Sequence, residues 1–152
     1  MDDTWRELTQ ADILCEDGVI KDIGRNLPSE GAEIVMATGC VVTPGLINTH
    51  HHLFQTLTRA VPEAQDALLF GWLKTLYPIW ARFGPDEMFA ATQLGLAELA
   101  LSGCTLSSDH LYLFPNGARL DDTIAAAAEI GLRFHPTRGA MSIGESAGGL
   151  PP

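Results

Sequence analysis

The sequence predicts an α/β fold in which about three strand–helix units form a parallel sheet behind a small β segment. The first forty residues carry short apolar runs separated by turn residues, whereas strand and helix patterns alternate after Pro44. Such alternation is typical of parallel strands joined by right-handed crossovers. We therefore divide the chain into a β segment, residues 1–43, and a strand–helix segment, residues 44–152.

The β segment begins with a predicted hairpin. Residues 12–15 and 19–23 are short apolar runs, and the Asp17-Gly18 pair between them is a strong hairpin signal. Residues 33–36 and 40–42 are two further strand candidates. These four runs predict a small β unit with little chemistry of its own.

The strand–helix segment opens with a strand over residues 46–49 and a helical pattern over residues 66–82. Pro78 falls inside that pattern, so we expect it to kink or end the helix. A second helix is predicted from Pro85, because acidic residues follow at once, as the positive end of a helix dipole favours. Gly103 is its expected stop.

The next strand and helix repeat this order. Residues 104–108 form the second predicted strand, which ends in Asp109-His110. Either Asp121 or Asp122 is expected to cap a third helix that ends at Ile130. A third strand is predicted over residues 132–135.

Polar and ionisable residues follow each predicted strand of this segment. His50 and His52 follow the first strand, Asp109 and His110 the second, and Arg138 the third. Because the carboxyl ends of parallel strands open on one face, where active sites are built, we expect these residues to share one rim.

His50 and His52 are the strongest candidates for metal ligands. Side chains two residues apart leave a strand on the same face, so both imidazoles can converge on one ion while His51 points away. The alternative is a pair of structural histidines, which would need two separate hydrogen-bond partners. His51 itself is assigned a structural or supporting role.

The remaining candidates each have a structural alternative. Asp109 either caps a loop or orients a ligand, and Gln55 and Arg138 either serve the rim or form ordinary surface hydrogen bonds. Trp72 lies at helical spacing with other apolar residues, which is typical of a core position. His135 precedes a proline within a strand and is assigned a structural role.

Composition restricts the classes of partner. The formal net charge of −10 argues against binding to a nucleic-acid backbone. No apolar run is as long as a membrane span, and the N-terminus lacks the pattern of a secretory signal. Three scattered cysteines are typical of free thiols in a reducing compartment, so we expect a cytoplasmic protein.

Several motifs resemble one enzyme family. Residues 41–52 resemble the PG-x-x-x-x-HxH signature of the amidohydrolase superfamily, and residues 16–24 resemble its N-terminal β-sandwich hairpin. The stretches that resemble the branch of cytosine/guanine deaminase-like and triazine hydrolase-like enzymes, and most closely the 8-oxoguanine deaminases, are residues 52–59, 69–73, 107–115 and 137–142.

The resemblance implies a (β/α)₈ TIM barrel flanked by a β-sandwich, and a homo-oligomeric parent enzyme. It also implies one divalent metal, zinc or alternatively iron, held by His50 and His52 with a later histidine and a late aspartate. The implied reaction is hydrolytic deamination of an amino-substituted N-heterocycle such as 8-oxoguanine. Gln55 would then bind the heterocycle, Trp72 would line the pocket, and Asp109, His110 and Arg138 would support the rim.

The sequence departs from that family pattern in its extent. It supplies about three of the eight expected barrel strands, and no histidine follows Met141. We therefore expect an N-terminal portion of a longer enzyme that is inactive alone. The alternatives are a triazine- or cytosine-type hydrolase of the same branch, or a non-catalytic binding module with a vestigial metal pair.

Overall fold

The structure is a computed structural model that describes residues 7–141, 144 and 146. Both predicted segments therefore extend at one end beyond the described residues, namely into residues 1–6 and most of 142–152. The chain divides into two compact units, Met1–Pro44 and Gly45–Pro152.

The first unit contains the predicted hairpin. Strand β1, Asp12–Glu16, pairs antiparallel with strand β2, Val19–Gly24. The two residues between them, Asp17 and Gly18, have φ angles of 51° and 75°, which the left-handed turn requires and which glycine and aspartate tolerate.

The two other strands predicted for the first unit are wrong. Residues 33–36 and 40–42 form no strand in the structure, and their side chains are exposed. Apolar β-branched residues form a strand only where they pair with a neighbouring strand, and in the described part of this unit these runs pair with neither β1 nor β2.

The second unit is a three-stranded parallel sheet in the order β3-β4-β5, with helices in the crossovers. In the described part of the chain, its strands and α-helices are β3 (Leu46–Asn48), α1 (Leu69–Trp80), α2 (Pro85–Leu101), β4 (Cys104–Leu111), α3 (Leu120–Ile130) and β5 (Arg133–Arg138). A 3₁₀ segment, Leu53–Thr58, follows β3. The predicted order of strands and helices is confirmed, and no described helix has the length and apolar character needed to cross a bilayer.

Several observed boundaries differ from the predicted ones. Strand β5 runs to Arg138, three residues beyond its predicted end, because it pairs with β4 over that length. Pairing with β5 extends β4 as far as Leu111, so Asp109 and His110 lie inside the strand rather than after it. Helix α1 continues two residues past Pro78. Helix α3 begins one residue before the predicted caps, and the Asp122 carboxylate accepts the backbone N–H of Arg119 at 2.7 Å.

The larger core cluster lies between α1, the 3₁₀ segment and the end of β4. Phe54 and Trp80 are fully buried at its centre, with ring centroids 5.1 Å apart in an edge-to-face arrangement. The Trp80 indole N–H donates to the Thr58 hydroxyl at 3.0 Å. Trp80 therefore holds the 3₁₀ segment after the histidines in two ways, by packing against Phe54 and by the hydrogen bond to Thr58.

Candidate metal centre

An open cleft lies where the three parallel strands end. The chain leaves β3, passes through the histidine run and enters the 3₁₀ segment. Residues from the carboxyl-terminal parts of β4 and β5 reach the same place. The cleft is lined by Thr49, His50, His51, His52, Ser108, Asp109, His110, His135 and Thr137.

His50 and His52 face one another across this cleft. Their ring centroids are 5.3 Å apart with an interplanar angle of 85°. Two imidazoles on one tetrahedral zinc ion place their ring centres roughly 5 Å apart, given Zn–N bonds of about 2 Å. The pair therefore has a separation that fits a shared ion.

A main-chain hydrogen bond sets the tautomer of His52. Its Nδ1 lies 2.7 Å from the carbonyl oxygen of His110, which can only accept, so Nδ1 carries the proton. Nε2 is then the unprotonated nitrogen and is free to bind a cation. This is the usual state of a metal-ligating histidine.

His51 makes different contacts. The Asn48 side-chain amide donates to its Nδ1 at 2.8 Å. Burial lowers the pKa of His51, and the neighbouring His52 lowers it further. Because Nδ1 accepts this hydrogen bond, the proton of the neutral ring lies on Nε2, and neither nitrogen has a lone pair free for an ion. This agrees with the supporting role expected from the sequence, although the residue also borders the cleft.

Asp109 is buried beneath the histidine run, with only 1% of its surface exposed. Its Oδ1 accepts the backbone N–H of Leu53 at 2.8 Å, while Oδ2 has no hydrogen-bond partner among the described residues. Burial raises the pKa of this carboxyl to about 6, and the Leu53 N–H and the charge of His52 act in the opposite direction.

His110 and Tyr112 form an aromatic wall beside His52. The ring centroid of His52 is 5.3 Å from that of His110 and 5.2 Å from that of Tyr112. Gln55 donates from Nε2 to the Tyr112 hydroxyl at 3.2 Å, and burial raises the pKa of that hydroxyl to about 12. Gln55 and Tyr112 are not among the residues that line the cleft, so the assignment of Gln55 to substrate binding stays a prediction.

Two residues near the metal pair, Tyr112 and His135, were not predicted as site residues. Tyr112 lies two residues after His110, so the period of two along an extended chain was the signal that pointed to it. His135, assigned a structural role, borders the cleft instead, because Pro136 is accommodated in β5 and the strand continues to Arg138.

Trp72 and Arg138 are not among the residues that line this cleft. Trp72 packs against Trp80, with ring centroids 5.4 Å apart. The Arg138 guanidinium lies 4.8 Å from the centre of the Phe114 ring, a cation–π contact at the end of β5. Their assignments to the pocket and the rim stay predictions.

The described residues hold only part of a coordination set. Among them, no group of three or more histidine, cysteine or carboxylate side chains is close enough to hold a metal ion. A catalytic zinc takes three protein ligands and leaves a fourth position open. His50 and His52 would supply two of the three.

Comparison with known proteins gives a consistent result. The model of the amidohydrolase family matches residues 41–148. The chain is 48% identical to an 8-oxoguanine deaminase of Pseudomonas aeruginosa over 92% of its own length and 32% of that protein. It is 41% identical to an isoxanthopterin deaminase of an unknown prokaryotic organism, over 84% of this chain and 27% of that one.

Solved structures agree with the sequence comparisons. A variant of the atrazine chlorohydrolase of Arthrobacter aurescens, complexed with zinc and atraton, matches with a TM-score of 0.81 and 32% identity. The match covers 99% of this chain and 35% of that chain. The chain thus spans about a third of the length of the relatives it matches.

Proposed function

The chain belongs to the amidohydrolase family, and from this premise we propose that it is part of a metal-dependent aminohydrolase. The proposed substrate is an amino-substituted N-heterocycle such as 8-oxoguanine, which loses its amino group as ammonia. The observation that carries the proposal is the facing pair of His50 and His52, with the tautomer of His52 set for binding a cation. Identity of 48% to an 8-oxoguanine deaminase supports this substrate class.

The donor set present fits a zinc ion better than a hard cation. Imidazole nitrogens suit zinc and iron, whereas calcium and magnesium prefer oxygen ligands. His50 and His52 would hold the ion together with ligands outside the described residues. When bound, such an ion lowers the pKa of its water to about 7 and so makes hydroxide available at neutral pH.

Residues next to the metal pair would position the substrate, and the Tyr112 ring lies 5.2 Å from that of His52. The Tyr112 hydroxyl accepts one N–H of the Gln55 side-chain amide, and the side-chain oxygen Oε1 of Gln55 has no hydrogen bond within the described part of the chain. That oxygen is suited to accept an N–H of a heterocycle. The aromatic rings of His110 and Tyr112 offer a surface on which a flat ring can lie.

The proposed protein is longer than this chain. The three strands of the second unit would be the first three of an eight-stranded barrel, and the hairpin of the first unit would belong to a β-sandwich. Coverage of about a third of each relative supports this extent. By itself the chain would be inactive, because it would lack the remaining ligands.

The proposal also covers the location, oligomeric state and partners of the enzyme. No disulfide forms among the described residues, where the free cysteines are Cys15, Cys40 and Cys104, and this supports a cytoplasmic location. The family resemblance supports a homo-oligomer. The partner is a small molecule, and the formal charge of −10 is unfavourable for nucleic acid.

A triazine is the second candidate substrate class. The structural match to a chlorohydrolase complexed with atraton, at a TM-score of 0.81, favours it. A triazine and an aminopurine are both flat nitrogen heterocycles, so the wall formed by His110 and Tyr112 is compatible with either.

Ammonia release tests the first candidate, and release of chloride or an alkylamine from a substituted triazine tests the second. The full-length protein encoded by the gene that contains this chain is loaded with zinc and assayed against aminopurines, pterins and triazines. Preferred turnover of 8-oxoguanine is expected, whereas preferred turnover of a triazine would favour the second candidate. A metal-loaded protein that releases neither ammonia nor any other leaving group from any member of the panel would contradict the proposal and favour a non-catalytic binding module.

A further inference from the structure

Two consecutive residues of β4, Asp109 and His110, form hydrogen bonds to three consecutive residues, His51, His52 and Leu53. Asp109 accepts the Leu53 N–H at 2.8 Å, and the His110 N–H donates to the carbonyl of His51 at 2.9 Å. The His110 carbonyl accepts the ring N–H of His52 at 2.7 Å. The orientation of His52 therefore depends on how β4 contacts the residues on both sides of it.

The first N–H groups of a helical segment have no partner within that segment. His52 occupies the cap position before the 3₁₀ segment, and no side chain next to it in sequence supplies a cap. The cap comes instead from Asp109 in strand β4, 56 residues further along the chain, whose carboxylate accepts the Leu53 N–H. It thus fixes the peptide group that joins His52 to Leu53.

The burial of Asp109 points to a specific function. Burial of a carboxylate is costly unless the group is well paired. Among the described residues, Asp109 Oδ2 is the one buried side-chain nitrogen or oxygen atom without a hydrogen-bond partner. An apolar residue at this position would avoid that cost but would leave the Leu53 N–H unpaired.

We propose that Asp109 is a positioning residue for the metal ligand His52. By capping the Leu53 N–H it holds the backbone that carries the imidazole, so that the His52 ring stays on the His110 carbonyl with Nε2 directed into the cleft. This inference rests on the proposed metal-dependent function. Asp109 acts through His52 and does not itself bind the ion.

Three variants of the full-length protein test the inference through zinc affinity, measured by chelator competition. Asp109→Ala removes the cap and is expected to weaken zinc binding about 10- to 100-fold, the range typical of residues that orient a ligand. Asp109→Asn keeps an oxygen that accepts the Leu53 N–H and is expected to restore most of the affinity. Ser107→Ala is the matched control, because Ser107 is also fully buried on the same face of β4, and it should bind zinc as the wild type does.

A second readout separates positioning from general destabilisation. In the cobalt-substituted protein, the visible absorption bands report ligand geometry, and they should shift in Asp109→Ala but not in Ser107→Ala. In the metal-free wild type, ¹⁵N NMR of the histidine rings should show the Nδ1–H tautomer for His52, which needs no variant. An Nε2–H tautomer, or wild-type zinc affinity in Asp109→Ala, would overturn the inference.

A further variant makes the two possible failures distinguishable. His50→Ala should lose zinc if the proposed metal pair is right. If His50→Ala retains zinc, the proposed function fails at its ligand assignment. If His50→Ala loses zinc while Asp109→Ala keeps wild-type affinity, only the positioning role of Asp109 is refuted.

Discussion

The three histidines of the run are distinguished by what each ring nitrogen contacts. His52 donates to a carbonyl, His51 accepts from an amide, and the His50 ring faces His52 across the cleft. Strand β3 ends at Asn48 and all three histidines border the cleft, so hydrogen bonding rather than strand alternation separates His51 from the other two. Identical side chains at adjacent positions therefore have different chemical capacities.

Removal of either facing histidine should abolish metal loading. His50→Ala and His52→Ala each leave one imidazole of a pair, and a single ligand from this part of the site cannot hold the ion. The measurement is metal content per protein after dialysis of the full-length protein. His51→Ala is the matched control and should stay loaded, because Nδ1 of that ring accepts from Asn48 and the proton on Nε2 leaves no nitrogen free to bind the ion. Stoichiometric metal in either of the first two variants would refute the ligand assignment.

Asp109 should make the stability of the metal-free protein depend on pH. Burial raises its pKa from 3.8 to about 6, so the folded state binds the proton more tightly than the unfolded chain does. The associated stability is present below about pH 4 and is lost as the pH rises through about 6. The shift corresponds to about 3 kcal/mol at most.

Denaturant unfolding between pH 4 and pH 7 measures this effect. The difference in unfolding free energy between the wild type and Asp109→Asn should change across that interval, because the amide does not titrate. A difference that is constant across the interval would show that the carboxyl keeps an ordinary pKa in the folded state.

At the level of elements, close packing joins the 3₁₀ segment after the histidines to helix α2. A Cβ at Gly95 would lie 2.6 Å from Leu53 Cδ2 and 2.9 Å from Thr56 Oγ1. Glycine in the middle of a helix costs about 1 kcal/mol relative to alanine, so its presence here indicates that contact distance matters more than helix propensity. Helix α2 thereby supports the segment that follows the proposed ligands.

Gly95→Ala should lower the stability of the protein in spite of the gain in helix propensity. Overpacking of this kind costs about 1–3 kcal/mol, which exceeds the propensity term. Gly71→Ala in α1 is the matched control, since the nearest atom to its added Cβ is Ala67 Cβ at 3.8 Å and the site is exposed. Thermal unfolding should show a lower midpoint for the first variant and an equal or higher midpoint for the second. The reverse order would contradict the packing argument.

The order of elements could be predicted from the sequence, whereas several of their ends could not. Local signals such as Asp17-Gly18 and Gly103 mark turns through backbone conformation, which depends on the residue itself. The end of β4 depends on pairing between Leu111 and Arg138, and so on a strand that follows it in sequence. Residues 33–36 have the composition of a strand, but composition does not provide a neighbouring strand.

The candidate site was predictable to a similar degree. The spacing of His50 and His52 indicated a metal pair because a strand has a fixed period, and their facing rings agree with it. The contact of Asp109 with Leu53 could not be predicted, because it joins residues 56 positions apart whose proximity results from the fold. The contact of Gln55 with Tyr112 spans 57 positions and has the same origin.

Over the whole second unit, apolar surface remains accessible where further strands of a barrel would pack. Strand β3 pairs with β4 on one side, and its Leu46 and Ile47 side chains are 60% and 62% exposed. Leu101 at the end of α2 is 90% exposed. Exposed strand edges that carry apolar side chains promote association with other chains.

The 152-residue chain alone should therefore self-associate, whereas the longer protein that we propose should not. Ile47→Lys separates the two cases, since it adds a charge to an exposed strand of the isolated chain. In the isolated chain it should reduce the aggregate detected by light scattering and sedimentation. In the longer protein the same position would be covered by neighbouring strands, so a buried, unpaired lysine should destabilise the fold and lower the unfolding midpoint. An unchanged midpoint in the longer protein would show that β3 is not covered there and would contradict the barrel arrangement.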